Sequence, residues 1–209
     1  MSTVFLVRHG ATEWNMHKRA QGQADVPLTD KGRLQALDAA KQLATFPIKA
    51  VYSSDLQRAF DTAEAIAHSH GLEVVTDTRL REIDQGEWTG LPVAEIERRW
   101  PELWGAARHY NKRPGGEAPA EVRTRALAAL KDAVSEHEGS DIVAVSHGGT
   151  IRWICAEACG YDDRRSALLR GVGNGGIVSI KAEIDDGKLV VWGLERLDGA
   201  TVDLEDPND

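Results

Sequence analysis

The stretch Thr3-Val4-Phe5-Leu6-Val7-Arg8-His9-Gly10-Ala11-Thr12-Glu13-Trp14-Asn15 decides how this chain is read. Residues 3–7 are an apolar run rich in β-branched and aromatic side chains, the pattern of a buried strand. The run stops abruptly at Arg8-His9-Gly10. In an open α/β sheet, ligands bind beyond the C-terminal ends of the strands, so this strand delivers its arginine and histidine to that edge. Arg8 offers a rigid fork of donors suited to phosphate. His9 is a titratable nitrogen nucleophile beside that cation. Gly10, without a Cβ, lets the backbone turn sharply or approach a ligand. Taken alone, the tripeptide reads more readily as a charged turn.

Three further stretches reverse that balance. Val51-Tyr52-Ser53-Ser54-Asp55-Leu56-Gln57-Arg58-Ala59 places an arginine in the first turn of a helix that follows a strand, with Asp55 available as its cap. The amides and dipole of that helix start favour an anion. Arg81-Glu82-Ile83-Asp84-Gln85-Gly86-Glu87-Trp88 supplies carboxylates beside a glycine and a tryptophan. Ile142-Val143-Ala144-Val145-Ser146-His147-Gly148-Gly149-Thr150 repeats the opening logic of apolar strand, histidine, glycines and helix.

These residues suit phosphoryl transfer, which depends on positioning and on cations around the transferring group. Arg8, Arg58 and a donor from His147 would form such a cage, and Asn15 and the Gly148 amide could complete it. His9 would attack phosphorus in line, its imidazole kept neutral by the neighbouring arginines. A carboxyl group must protonate the leaving oxygen, and on chemistry alone Glu13, Glu82 and Glu87 compete for that role. A metal site on His9 and His147 is the rival reading. It is disfavoured because Arg8 and Arg58 would repel a dication and no further donor spacing completes a ligand set.

The four motifs, in this order from residue 4 to about residue 153, resemble those of the histidine phosphatase superfamily, in the branch that includes the cofactor-dependent phosphoglycerate mutases. The resemblance implies His9 as the nucleophile that becomes a phosphohistidine. It implies Glu82 as the proton donor and later the base for water, and it alone ranks Glu82 above its competitors. It also implies Arg58 and His147 as phosphate ligands, and Gln21 and Gly22 as part of a loop lining the pocket. The expected catalytic set is therefore His9, Glu82 and His147, with Arg8, Asn15, Gln21, Gly22, Arg58 and Gly148 holding phosphate, and no metal or cofactor. In the mutase subgroup the glutamate is followed by Arg-His-Tyr-Gly, whereas here Ile83-Asp84-Gln85-Gly86 follows Glu82. The family's Gly-Gly-Glu-Ser appears as Gly115-Gly116-Glu117-Ala118. The expectation is a phosphatase for small phosphomonoesters; the alternatives are a phosphoglycerate mutase and a non-catalytic phospho-ligand binding module. Arg108, His109, Tyr110, Lys112 and Arg113 are candidates to read a second anionic group on the substrate.

Composition bounds the partners. The chain has 209 residues, 42% hydrophobic and 28% charged, with a formal net charge of −8. A nucleic-acid binder should be locally and usually globally basic, so this charge argues against that class. No apolar run is long enough to span a membrane, and Met1-Ser2 carries no signal-peptide features. Cys155 and Cys159, four apart on one helix, are expected as unpaired thiols, which fits a reducing cytoplasm. The expected partner is a small phosphorylated metabolite, and a homodimer is left open.

Alternating strands and helices predict an α/β class fold, a three-layer α/β/α sandwich in one domain over residues 1–209. Its mostly parallel sheet should carry an antiparallel edge, since Asp185-Asp186-Gly187 is a hairpin signal. Residues 79–119 should form a cap or lid, and the acidic tail 198–209 should be loose. Leu34, Leu37, Ala40 and Leu43 or Ala44 predict the buried stripe of a helix capped by Thr29 or Asp30. Two short helices are expected over 92–99 and 101–108, and a longer one over 120–136. Trp14 and Trp88 are expected on the pocket wall, Asn174 in a glycine-rich turn, and His17, His68, His70, His109 and His137 on the surface.

Overall fold

Successive residues of the opening strand point to opposite sides, and both sides are covered by helices. In the computed structural model, which describes residues 1–197, β1 (Ser2–Arg8) sends Val4 and Leu6 into one apolar cluster and Phe5 and Val7 into another. It lies within a six-stranded sheet with β2 (Ile48–Ser53), β3 (Val74–Thr76), β4 (Asp141–Ser146), β5 (Ile177–Asp185) and β6 (Lys188–Arg196), in the order β3-β2-β4-β1-β5-β6. β3, β2, β4 and β1 run parallel; β5 pairs antiparallel with β1, and β6 with β5. The helices in chain order are α1 (Glu13–Met16), α2 (Asp30–Leu43), α3 (Gln57–His70), α4 (Val93–Arg99), α5 (Pro119–Glu136) and α6 (Gly148–Ala158). α2 and α3 cover the Phe5 and Val7 side, while α5 and α6 cover the other. This is the expected three-layer sandwich with an antiparallel edge. The expected tail, 198–209, lies outside the described residues.

The hairpin between β5 and β6 turns on Asp186 and Gly187, with φ of 46° and 69°. Both angles are positive, as a two-residue turn that matches strand twist requires. Thr29 caps α2 by accepting the Gly32 N–H at 3.1 Å. The buried stripe of α2, however, is Gly32, Ala36, Ala39, Ala40 and Leu43, while Leu34 and Leu37 are 67% and 60% exposed. Small residues prevail because they let α2 pack close to its neighbours. At its start, a Cβ on Gly10 would meet the Gly32 carbonyl oxygen at 2.2 Å, and one on Gly32 would meet that of Ala11 at 2.1 Å.

Two local expectations fail for tertiary reasons. Asp55 does not cap α3. Its carboxylate takes the Arg81 guanidinium in a bidentate pair at 2.7 and 2.5 Å. The first free amide of α3, that of Gln57, donates instead to Asp25 Oδ1 at 2.8 Å. No α-helix forms over 101–108: Trp100, restricted by the proline that follows it, leaves the helical region, and only a tight 3₁₀ turn over Gly105–His109 remains. Cys155 and Cys159 are free thiols. Among the described residues no helix is long and apolar enough to cross a membrane.

Candidate active site

The register of the two central strands sets Arg8 opposite Ser146, so the next residues, His9 and His147, emerge side by side. The His9 amide donates to the Ser146 carbonyl at 3.1 Å, and the two imidazole centroids are 5.1 Å apart with planes inclined by 58°. His9 Nδ1 lies 2.7 Å from the Gly10 carbonyl oxygen. A carbonyl can only accept, so Nδ1 carries the proton and Nε2 of the neutral ring keeps its lone pair. Burial holds His9 well below the usual histidine range, and Arg58 and Arg8 add to that shift. His9 as a whole is 3% exposed. His147 is shifted the same way by burial, then by Arg58, His9 and Arg8.

The cations around these rings are held by backbone. Arg58, wholly buried in the first turn of α3, donates from Nη1 to the Ala24 carbonyl at 2.7 Å and from Nη2 to the Gly22 carbonyl at 2.8 Å. Arg8 donates from Nη1 to Val172 O at 2.7 Å. Burial lowers both, Arg58 to about 10, so both remain charged near neutral pH. Four donor-capable atoms in this cluster are buried without a partner: Arg8 Nε, Arg58 Nε and both ring nitrogens of His147. Buried polar groups are nearly always satisfied, and donors gathered on two guanidinium groups are chemically suited to an anion. The Gly148 N–H, in the first turn of α6, has no acceptor within the helix, and Gly148 lines the neighbouring cleft.

Glu82, in the irregular segment after β3, is near enough to Arg8 and Arg58 for its charge to act on both guanidinium groups. Its Oε1 accepts the Ile83 and Thr150 amides at 3.0 and 3.3 Å, and its Oε2 accepts the Gly149 amide at 3.1 Å. A Cβ on Gly149 would reach Oε1 at 2.6 Å, so only glycine leaves room for the carboxylate there. The competing glutamates, Glu13 and Glu87, are exposed and do not line the cleft.

A cleft of about 800 Å³ is lined by Arg8, Asn15, Glu82 and Gly148, whereas His9, Arg58 and His147 are buried and are not among the residues that line it. The segment 79–119 forms much of its wall, and Trp14 and Trp88 line it as expected, joined by Trp104 and Trp153. Asn15 is fixed through its amide oxygen, which accepts from Thr12 N–H at 3.1 Å and Asn174 Nδ2 at 3.3 Å. Asn174 also donates to the His9 carbonyl at 3.0 Å, so it braces the site rather than merely shaping a turn. Gln21 and Gly22 do not line the cleft. Gln21 accepts from Thr12 Oγ1 at 3.0 Å, and the Gly22 carbonyl anchors Arg58.

Of the basic segment, Arg108, His109 and Arg113 line the cleft, together with Lys18 and with Arg152 of α6. Lys112 does not; it pairs with Glu121 at 3.6 Å on the exposed side. Tyr110 lies outside the cleft wall, its ring 5.5 Å from the Arg164 guanidinium. His109 is therefore no surface residue, and burial followed by Arg152 and Arg108 lowers it to about 3. Arg152 escaped the sequence reading. Its one signal was a place one helical step beyond the His-Gly-Gly motif. Among the described residues no three His, Cys, Asp or Glu side chains gather in a way that could hold a metal ion.

Residues 4–195 match the family model of the histidine phosphatase superfamily (branch 1). A glucosyl-3-phosphoglycerate phosphatase of Mycolicibacterium vanbaalenii is 36% identical over 205 residues, 91% of each chain. A probable phosphoglycerate mutase of an Enterobacter strain is 37% identical over 174 residues, covering 80% of this chain and 81% of that one. The solved structure of a mycobacterial glucosyl-3-phosphoglycerate phosphatase with VO3 superposes with a TM-score of 0.84 at 32% identity, over 92% of this chain and 97% of that one.

Proposed function

The chain belongs to the histidine phosphatase superfamily (branch 1), and on that premise we propose that it hydrolyses small phosphomonoesters through a phosphohistidine on His9. The observation that carries this reading is the set of unpartnered buried donors, Arg8 Nε, Arg58 Nε and the His147 nitrogens, gathered around a neutral His9. In the first step His9 Nε2 bonds to phosphorus while the bond to the ester oxygen breaks, and the Glu82 carboxyl gives that oxygen its proton. In the second, Glu82 takes a proton from water, whose oxygen bonds to phosphorus as the Nε2–phosphorus bond breaks. Asn15 and the Gly148 amide would add donors to the phosphoryl oxygens. Gln21 and Gly22 act one step back, by holding Thr12 and Arg58.

Hydrolysis is favoured over mutase chemistry by the residue after Glu82. Ile83, 1% exposed, packs with Val122 and Trp153 at the position where the mutase subgroup carries an arginine. The cleft is far larger than a phosphoryl group needs, and Arg108, Arg113, Arg152 and Lys18 line it in addition to Arg8. The substrate we propose therefore carries a second anionic group. Turnover of nitrophenyl phosphate by wild type, with an acid-labile phosphoenzyme trapped during turnover, is the expected result, and His9→Ala should abolish both. Phosphate binding without turnover would leave a binding module instead. Arg113→Gln should raise KM for an acidic ester and leave nitrophenyl phosphate nearly unchanged, and Lys112→Gln should affect neither.

A further inference from the structure

We infer that Arg125, a residue of α5 outside the cleft, is a positioning residue for Glu82. The inference rests on the reading of Glu82 as the proton donor. Glu82 belongs to a segment without regular structure, between the 3₁₀ turns Thr78–Leu80 and Gly86–Trp88, where no ladder satisfies the backbone carbonyls. Arg125 takes the place of that ladder. Its Nη1 donates to the carbonyls of Arg79 and Arg81, each at 2.7 Å. Its Nη2 donates to the Glu82 carbonyl at 3.0 Å and to Glu117 Oε2 at 2.9 Å, and its Nε donates to Glu117 Oε1 at 3.0 Å. A guanidinium has five N–H groups, and here every one is engaged.

Glu117 carries the clamp past the catalytic residue. Its Oε2 accepts the Asp84 amide at 2.8 Å, and its own amide donates to the Asp84 carbonyl at 3.0 Å. The chain is thus tied on both sides of Glu82. From the opposite direction, Thr150 Oγ1 donates to the Arg81 carbonyl at 2.9 Å, while the start of α6 holds the Glu82 carboxylate itself. The carboxylate is fixed to α6 and its backbone to α5. The pair Arg125–Glu117 is largely shielded from water, with side-chain exposures of 18% and 25%. A lysine at 125 offers a point charge with three donors and no planar fork, so it cannot reach three carbonyls and a carboxylate together.

The role has a kinetic signature that a purely structural role lacks. Proton donation matters for a poor leaving group such as an alkoxide and little for a dinitrophenolate. The ratio kcat/KM reads the step in which His9 is phosphorylated, so comparing glycerol phosphate with dinitrophenyl phosphate isolates the acid. Arg125→Lys is expected to lower kcat/KM for glycerol phosphate by about 10- to 100-fold, since a misplacement of about 1 Å costs about that much, with the dinitrophenyl ester changed by no more than about threefold. Glu117→Gln, which preserves side-chain shape but not charge, should show the same selectivity at smaller amplitude, and it covers the case in which the lysine variant folds poorly. An equal loss on both esters, or no loss on either, in both variants overturns the inference. Glu82→Gln must itself lose activity selectively on glycerol phosphate. If it does not, the acid assignment fails and takes this inference with it. If it does while the Arg125 and Glu117 variants lose evenly, the inference alone fails.

Discussion

Acidifying the protein from about pH 7 to about pH 5 in a phosphate-free buffer should lower its stability, because three histidines resist protonation in the fold. Three histidines at the site are held below the ordinary value of 6.5. His9 and His147 are lowered chiefly by burial and then by Arg58, and His109 falls to about 3 by burial and then by Arg152. Below pH 6.5 the unfolded chain binds protons at these positions and the folded chain does not, so stability falls as pH falls. A histidine that stays neutral in the fold down to pH 5 contributes a loss of about 2 kcal/mol over this interval. His109 supplies such a loss, and His9 and His147, lowered in the same direction, add to it. The carboxyls of Asp55, Asp77 and Glu117 are lowered too, but they titrate below this window and add little to it. Urea denaturation at the two pH values is the assay. Wild type should lose at least about 2 kcal/mol, and His109→Asn about 2 kcal/mol less than wild type. Inorganic phosphate should shrink the loss, because a bound anion gives an imidazolium at His147 its counter-charge. Stability that is flat across the interval, or an equal loss in wild type and His109→Asn, would refute the reasoning. Below the melting temperature, kcat/KM should show no fall near pH 6.5 from protonation of His9.

Other perturbations probe the frame that carries the site. Gly10→Ala should destabilise by about 1–3 kcal/mol, since the added methyl would meet the Gly32 carbonyl, whereas Gly173→Ala, where nothing lies within 4 Å, should cost little by thermal melting. Ala118→Ser should stabilise by about 0.5–2 kcal/mol, because Ala118 precedes α5 with no side-chain oxygen to accept an amide of the first turn; an unchanged melting temperature would count against that account. Leu34→Gln and Leu37→Gln should each shift unfolding free energy by no more than about 0.5 kcal/mol, and Leu43→Ala should cost about 2–5 kcal/mol. Equal penalties at all three would restore the leucine stripe as the buried face.

The strands, their order of appearance and the final hairpin were legible because they rest on local patterns: apolar runs, a turn dipeptide that tolerates positive φ, and a threonine before an amphipathic segment. The face of α2 was not. Leu34 and Leu37 satisfy helical spacing as well as Ala36, Ala39, Ala40 and Leu43 do, and hydrophobicity favours the leucines. What decides is how closely α2 must approach Gly10 and Ala11, a distance set by residues about twenty positions away. Asp55 shows the same limit. As a helix cap it is a good local choice, but a guanidinium twenty-six positions further on offers two charge-assisted bonds where an amide offers one.

At the site, the sequence could name most of the groups proposed to hold phosphate, because Arg8, His9, Arg58 and His147 sit in motifs at a strand end or helix start. It could not identify the groups that hold those in place. Gly22 anchors Arg58 through a carbonyl, and Arg125 pins the Glu82 segment through three more. Backbone acceptors have no residue type, so no motif marks them. The converse also holds: the orphaned nitrogens of His147 and the free Nε atoms of Arg8 and Arg58 are a property of the empty fold. Buried nitrogens left unpaired on Arg8, Arg58 and His147 oppose folding, and a bound phosphate would turn that cost into binding energy. The same arrangement that makes the apo protein sensitive to acid should therefore make it tighten around an anion, so acid lability and phosphate affinity should rise and fall together across substitutions at these positions.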